Sequence, residues 1–217
     1  MSFKFKLATV AGAAAAVVLA TAPGVAGAAT LTFDASDACS GGCSDYGAIS
    51  QTYGDIAGKV DVQYSRSLSN PGPLSWWSIY GDLPGVAWGE PNAIAEVFLR
   101  PLAGFQVTLL GFDLGSYGGA DRRTQVTLLG ANGDVLGEFP NLTVGAVHAS
   151  FASNLTRSDG IRIQWGPDAY DVGIDNIAFE VTALAGGVPE PATWAMMILG
   201  FGVVGAAARS RARVLAA

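Results

Sequence analysis

Hydrophobic and polar residues alternate in short stretches through the middle of the chain. Residues 60–64 and 161–165 alternate strictly, with an apolar residue at every second position. A period of two places successive side chains on opposite faces of a strand, so that one face can be buried. Similar short apolar runs occur at 31–33, 93–99, 105–112, 124–129, 135–139, 147–151 and 174–181. The pattern predicts an all-β protein with a new strand about every ten residues.

Turn-forming residues separate these runs. Gly, Asn, Asp and Pro punctuate the sequence, and Asn132-Gly133 between two apolar runs predicts a hairpin turn. No amphipathic helical stripe of useful length occurs between residues 29 and 187. Many short strands with regular turns are typical of a β-sandwich. We therefore predict a β-sandwich ectodomain at 29–182, followed by a short linker at 183–187.

The chain opens with a charged and then an apolar stretch. Lys4 and Lys6 precede an apolar run at 7–20, and Ala26-Gly27-Ala28 supplies the small residues of a cleavage site. This arrangement predicts a secretory signal peptide at 1–28, cut after Ala28 and read by the Sec translocon. An uncleaved membrane anchor is the alternative.

A second uncharged stretch lies near the C-terminus, at residues 192–208. A helix needs about 17 to 25 apolar residues to span a bilayer, so this stretch is just long enough for a transmembrane helix in the inner membrane. Trp194 suits the membrane interface, and the basic residues that follow should stay cytoplasmic. The alternative is a buried helix of a soluble protein. The basic end consists of Arg209, Arg211 and Arg213, and a four-residue extension follows at 214–217.

The order of these features resembles a known sorting signal. Val188-Pro189-Glu190-Pro191, Trp194, Gly200-Phe201-Gly202 and the arginine-rich end resemble the PEP-CTERM signal over residues 188–213. The resemblance implies that an exosortase, an integral-membrane cysteine transpeptidase, recognises Pro-Glu-Pro and processes the tail. It also implies a Gram-negative bacterium that makes exopolysaccharide. The ectodomain would be periplasmic at first, anchored in the inner membrane, and would reach the cell surface or the medium after processing.

Parts of the ectodomain carry a second resemblance. Segments 49–55, 82–87, 111–115 and 170–177 resemble ectodomains that are joined to such tails. The Ile-Asp-Asn-Ile sequence at 174–177 is similar to the last strand of jelly-roll, galactose-binding-like modules. This similarity implies a sandwich of the jelly-roll type.

Charge excludes one class of partner. The ectodomain has seven basic and 17 acidic residues, a formal charge of −10. Nucleic-acid binding depends on Lys and Arg contacts to phosphates, so no nucleic-acid partner is expected. The acidic surface is compatible with cation binding or with solubility alone.

Two cysteines, Cys39 and Cys43, enclose a Ser-Gly-Gly sequence. Exported proteins meet an oxidising compartment, so the pair predicts a small disulfide loop. A zinc site would require further ligands beyond one cysteine pair.

A carboxylate falls on a predicted apolar face. In a regular strand Asp175 shares its face with Ile177 and Phe179, and a buried charge needs a partner there. The jelly-roll resemblance implies a structural Ca²⁺ held by Asp175 and an early acid, for which Asp34 is the candidate. The alternative is a carboxylate that caps backbone N–H groups at the strand entry. No cofactor is certain, and Ca²⁺ is the one candidate.

Aromatic residues concentrate between Pro73 and Pro91. Stacked aromatic faces bind sugar rings, so Trp76, Trp77 and Trp88 are candidate carbohydrate-binding residues. The alternative is that they fill the core. Neighbouring residues of a strand point to opposite faces, so at most one of Trp76 and Trp77 can lie in the core by this route.

Catalytic motifs are absent from the sequence. His148 is the single histidine, and no nucleophile elbow, P-loop or dinucleotide fingerprint occurs. We therefore expect an exported surface protein that is not an enzyme and is structural or adhesive in the envelope or exopolysaccharide matrix. A Ca²⁺-stabilised carbohydrate-binding module is one alternative, and a secreted glycan-active enzyme is another.

Overall fold

The computed structural model describes residues 26–34, 37–184 and 196–202. The signal peptide up to residue 25, the motif at 188–191, Trp194 and the arginines at 209, 211 and 213 lie outside these ranges. Residues 196–202 are helical within the predicted transmembrane segment. In the described ranges no helix has both the length and the apolar character needed to cross a membrane.

The described residues form eleven strands and one short 3-10 turn. In chain order the strands are β1 Ala26–Leu31, β2 Val60–Ser65, β3 Ser75–Tyr80, β4 Leu83–Trp88, β5 Ala95–Pro101, β6 Phe105–Ser116, β7 Arg122–Gly130, β8 Val135–Val144, β9 Ala149–Arg157, β10 Ile161–Gly166 and β11 Val172–Ala183. The 3-10 turn, Tyr117–Gly119, follows β6 directly.

The strands pair into two antiparallel sheets. The first sheet has the order β3-β4-β11-β6-β9. Strand β1 is its sixth strand and also pairs with β11. The second has the order β2-β5-β10-β7-β8. The all-β sandwich predicted from the alternating pattern is therefore confirmed. Its closer likeness to jelly-roll, galactose-binding-like modules stays a prediction.

The main core lies between the two sheets, where the alternating residues meet. Val60, Val62 and Tyr64 of β2 point inward, as do Ile161 and Trp165 of β10. The Trp165 indole is fully buried and donates a hydrogen bond of 2.8 Å to the Val172 carbonyl. Burial of these apolar faces stabilises the fold by roughly 25 cal/mol for each Å² removed from water.

Strand β1 begins upstream of the predicted signal-peptide cleavage site. Ala26 pairs with Val181, and Leu31 pairs with Ile177. Cleavage after Ala28 would remove the first three residues of β1 and leave the remainder paired with β11. The cleavage position stays a prediction.

Candidate functional site

Two glycines leave a site without side chains on the outer face of the first sheet, which we call the glycine seat. Gly115 of β6 and Gly173 of β11 are direct partners, and both point away from the main core. A Cβ added at Gly115 would lie 2.5 Å from the Tyr80 carbonyl oxygen, and one at Gly173 would lie 3.1 Å from the Tyr80 ring. The absence of side chains at these two positions lets the tip of the β3–β4 hairpin pack directly on the sheet.

A second apolar cluster forms on this seat, separate from the main core. Tyr80, Leu83, Val86 and Trp88 are its buried members. The Tyr80 hydroxyl donates a 2.7 Å hydrogen bond to the Tyr170 carbonyl, and burial raises the pKa of Tyr80. Tyr80 therefore joins the hairpin to the loop that precedes β11.

Further aromatic rings surround this cluster in edge-to-face contacts. The Trp77 ring lies 4.9 Å from Tyr46 and 5.5 Å from Tyr117 between centroids. Trp88 lies 4.9 Å from Tyr170 and 5.8 Å from Tyr46. Perpendicular contacts at these spacings hold aromatic side chains in fixed orientations. We call the set Tyr46, Trp77, Tyr80, Trp88, Tyr117 and Tyr170 the aromatic cluster.

A depression of about 420 Å³ opens beside the aromatic cluster. Trp77 and Tyr117 provide its ring surfaces, and Ile79 and Ala146 provide small apolar surfaces. The rest of the lining comes from Gly81, Gly118 and Gly119, and of these Gly118 is exposed with no other residue close to the position of a Cβ. All three glycines have φ between +60° and +67°, a region that other residues rarely adopt. The depression thus combines aromatic faces with accessible peptide groups.

Hydrogen bonds fix the rim of the depression. Asp82 accepts hydrogen bonds from the His148 backbone N–H at 2.8 Å and pairs with the His148 ring nitrogen Nδ1 at 3.0 Å. The hydrogen bond from the His148 backbone N–H, more than any other interaction, lowers the pKa of Asp82. The Ser116 hydroxyl donates to the Gly145 carbonyl at 2.9 Å. These contacts hold the 145–148 loop against the β3–β4 turn.

The depression lies at one end of the longest strands. Tyr117 follows the last residue of β6, and Tyr170 precedes the first residues of β11. From there β11 runs twelve residues to Ala183, a length of about 37 Å. The chain continues from Ala183 towards the predicted sorting motif. The aromatic cluster therefore lies at the opposite end of β11 from Ala183.

The three predicted tryptophans occupy three different environments. Trp76 lies in the main core and donates a hydrogen bond of 2.6 Å to the Phe33 carbonyl. Trp77 is partly buried and lines the depression. Trp88 is 7% exposed at the base of the aromatic cluster, and its indole N–H has no hydrogen-bond partner in the described part of the chain. Of the three, Trp77 alone offers its ring to the depression.

Sequence reasoning missed the tyrosines of the site. Tyr46 is 61% exposed with a positive φ of 69°, and a hydrogen bond with it raises the pKa of Tyr170. The one available signal was Tyr117-Gly118-Gly119, a few residues after the strand predicted at 105–112, since paired glycines mark turns.

The Cys39–Cys43 disulfide is present, as predicted. It begins a segment that lies along the outer edge of β3. Tyr46 N–H donates to the Trp76 carbonyl at 3.0 Å, and Ile49 N–H donates to the Leu74 carbonyl at 2.8 Å. This pairing covers the strand edge and places Tyr46 against Trp77.

Asp175 is buried beside the first segment of the chain. Its Oδ1 accepts a hydrogen bond of 3.1 Å from the Phe33 backbone N–H. The pKa of Asp175 is raised to about 6, chiefly by burial and to a smaller extent by the charges of Asp113 and Asp34, while backbone hydrogen bonds partly oppose the rise. Asp34 itself is exposed and accepts a hydrogen bond from Thr32 Oγ1. The geometry matches the capping alternative for Asp175.

Metal ligands do not converge within the described ranges. No group of three or more His, Cys, Asp or Glu side chains there is close enough to hold an ion. The calcium hypothesis for Asp34 and Asp175 stays a prediction.

Comparison with known proteins identifies the tail. Residues 187–212 match the model of the PEP-CTERM protein-sorting motif. This match confirms that the tail resembles the PEP-CTERM signal, as the sequence predicted. The motif indicates an exported surface protein that an exosortase processes, with a membrane-anchored C-terminal region before release to the surface.

The other comparisons concern the whole chain. A search of curated proteins found no match to this chain. Among solved structures, the chain is similar to a GH26-CBM35 beta-(1,4)-mannanase from Podospora anserina, with 16% identity and a TM-score of 0.28. The match covers 60% of this chain and 29% of that chain, and it is too weak to support a conclusion about fold or function.

Proposed function

We propose that this surface protein is adhesive and holds to the exopolysaccharide matrix by binding glycan at the depression beside Trp77 and Tyr117. The observation that carries the proposal is the open depression lined by the rings of Trp77 and Tyr117, at the opposite end of β11 from Ala183.

The lining of the depression suits a sugar ring. The C–H face of a pyranose packs on an aromatic face, and its hydroxyl groups need hydrogen-bond partners. Trp77 and Tyr117 supply the rings, while Gly118 and Gly119 leave peptide groups accessible next to them. Edge-to-face contacts with Tyr46 already fix the Trp77 ring, so little side-chain entropy is lost on binding.

The proposed role is binding without turnover. His148 pairs with Asp82 at the rim, where the pair holds a loop in place. A glycan-active enzyme would require a pair of carboxylates placed on either side of one glycosidic bond. The depression is lined by aromatic, glycine and small apolar residues instead.

Co-sedimentation of the full-length chain with the exopolysaccharide of the producing organism tests the proposal. We expect retention of the wild type, and at least a tenfold loss of affinity for Trp77→Ala, since one lost sugar–aromatic contact of about 1.4 kcal/mol corresponds to tenfold. Val135→Ala is the control, because Val135 is an exposed apolar residue on the second sheet and does not line the depression. Absence of retention, or equal retention of all three proteins, would refute glycan binding at this site.

A further inference from the structure

The charges around the depression are mostly negative. Asp82 lies next to the lining residue Gly81, and its partner is His148. Asp45 accepts a hydrogen bond of 2.9 Å from the backbone N–H of Ser78, between Trp77 and Ile79. Asp121 lies against Gly145, the neighbour of the lining residue Ala146.

Few cations balance these carboxylates. Arg122 forms an ion pair with Asp171 at 2.7 Å, and the His148 ring nitrogen Nδ1 is hydrogen-bonded to Asp82 at 3.0 Å. Within residues 26–34 and 37–184, no ion pair joins Asp45 or Asp121 to a basic side chain. The lining itself contains no ionisable cation. The ectodomain as a whole, at −10, adds to the negative field.

The carboxylates around the depression would repel an anionic sugar, and no basic side chain of the lining would form an ion pair with it. Recognition of a carboxylate or sulfate group normally uses Arg or Lys, which form charge-assisted hydrogen bonds with it. Like charges placed together at an interface disfavour the partner that carries them. A sugar with hydroxyl groups alone carries no such cost.

We propose that the depression binds an uncharged pyranose unit and rejects uronic acid and sulfated sugars, an inference that rests on the proposed glycan binding. The ring of the sugar stacks on Trp77 beside Tyr117, and its hydroxyl groups bond to the peptide groups at Gly81, Gly118 and Gly119. The volume of about 420 Å³ lies within the range of small-molecule sites. In a matrix of mixed composition, the neutral units are then the attachment points.

The test compares two forms of the same polymer with the full-length chain. One form is the native exopolysaccharide, and the other has its carboxyl groups reduced chemically to hydroxymethyl groups. We expect the reduced form to bind at least as tightly as the native form. We also expect less than about a twofold change in affinity on raising the salt concentration, since a neutral ligand makes no ion pairs that salt can screen.

Two variants test whether the polymer binds in the depression. Ala146→Leu fills the depression and leaves the Trp77 and Tyr117 side chains unchanged, whereas Val147→Leu changes its exposed neighbour, which does not line the depression. We expect Ala146→Leu to lose binding to the reduced polymer and Val147→Leu to retain it. Binding that survives Ala146→Leu would overturn the inference.

The outcomes separate the inference from the proposed function. If the native polymer binds and the reduced polymer does not, the protein recognises acidic sugars, so the inference is wrong and the adhesive function stands. If neither polymer binds, the proposed function itself fails.

Discussion

Trp76 and Trp77 are neighbours in sequence, but Trp76 is expected to contribute to stability and Trp77 to glycan binding. The alternation of a strand sends Trp76 into the main core and Trp77 towards the depression. Trp76→Ala would leave a large cavity and an unpaired Phe33 carbonyl, so we expect a loss of about 3–5 kcal/mol in the free energy of unfolding. For Trp77→Ala we expect a smaller loss of stability together with the loss of glycan binding. Chemical denaturation of both variants would check this, and a Trp77→Ala variant as unstable as Trp76→Ala would assign Trp77 to the core.

Asp175 should make stability depend on pH. Its pKa is about 6 in the folded protein and about 3.9 in an unfolded chain, so the folded state binds the proton more tightly. The contribution of this group to stability is present below about pH 4 and is lost as the pH rises through about 6. Asp175→Asn keeps an oxygen for the Phe33 N–H and removes the charge. We expect the variant to show a flatter dependence of melting temperature on pH between about 4 and 7 than the wild type. A parallel pair of curves would contradict the raised pKa.

The capping role of Asp175 also bears on calcium. If Asp175 only caps the Phe33 N–H, neither EDTA nor millimolar Ca²⁺ should change the melting temperature, whereas the calcium hypothesis predicts that EDTA lowers it and Ca²⁺ restores it. A Ca²⁺-dependent rise that Asp34→Asn abolishes would establish the calcium site instead.

At the scale of elements, alternation was a sufficient signal for strands with one buried face. It predicted β2 and β10, and Asn132-Gly133 predicted the β7–β8 hairpin, where Gly133 has a φ of 84°. It missed β3 and β4. Strand β4 is buried on nearly every residue because the main core covers one face and the aromatic cluster the other, so no alternation exists. Pro84 and Gly85 also read as a turn.

The depression was harder to predict than the sheets, because it depends on contacts between distant segments. Tyr46, Tyr117 and Tyr170 come from three separate loops, and Gly115 and Gly173 from two strands. Sequence spacing brings none of these together. Composition alone identified Trp77 as a candidate, without showing which ring would be open.

The glycine seat should be essential for the β3–β4 hairpin. Gly115→Ala would place a methyl group against the Tyr80 carbonyl, so the hairpin tip must shift away from the sheet. We expect a loss of about 1–3 kcal/mol in the free energy of unfolding and weaker glycan binding. Gly137→Ala in β8 is the control, since its added Cβ has a single neighbour, at 3.8 Å. Equal stability of the two variants would show that the seat is not required.

The disulfide should stabilise the segment that carries Tyr46. It closes a loop of five residues, for which chain entropy gives about 2 kcal/mol. We expect Cys39→Ser with Cys43→Ser to lower the free energy of unfolding by up to this amount. Protease sensitivity should rise first within residues 37–49, and cleavage elsewhere first would show that the disulfide does not hold this segment.

At the scale of the whole molecule, sorting and binding are assigned to different parts of the chain. Strand β11 links the loop of Tyr170 to the segment that leads to the sorting motif at 187–212. Replacement of Pro189-Glu190-Pro191 by alanines should leave the protein unprocessed in the membrane, while the purified variant still binds exopolysaccharide. Unchanged size and location in a membrane fractionation would show that this motif does not direct processing.

The most direct test of the whole account is the distribution of the protein between exopolysaccharide matrix and culture medium in the producing cells. The account predicts that the wild type is retained in the matrix and that Trp77→Ala is exported and processed normally but passes into the medium. Equal retention of the two proteins in the matrix would contradict the claim that the aromatic depression attaches this protein to its surroundings.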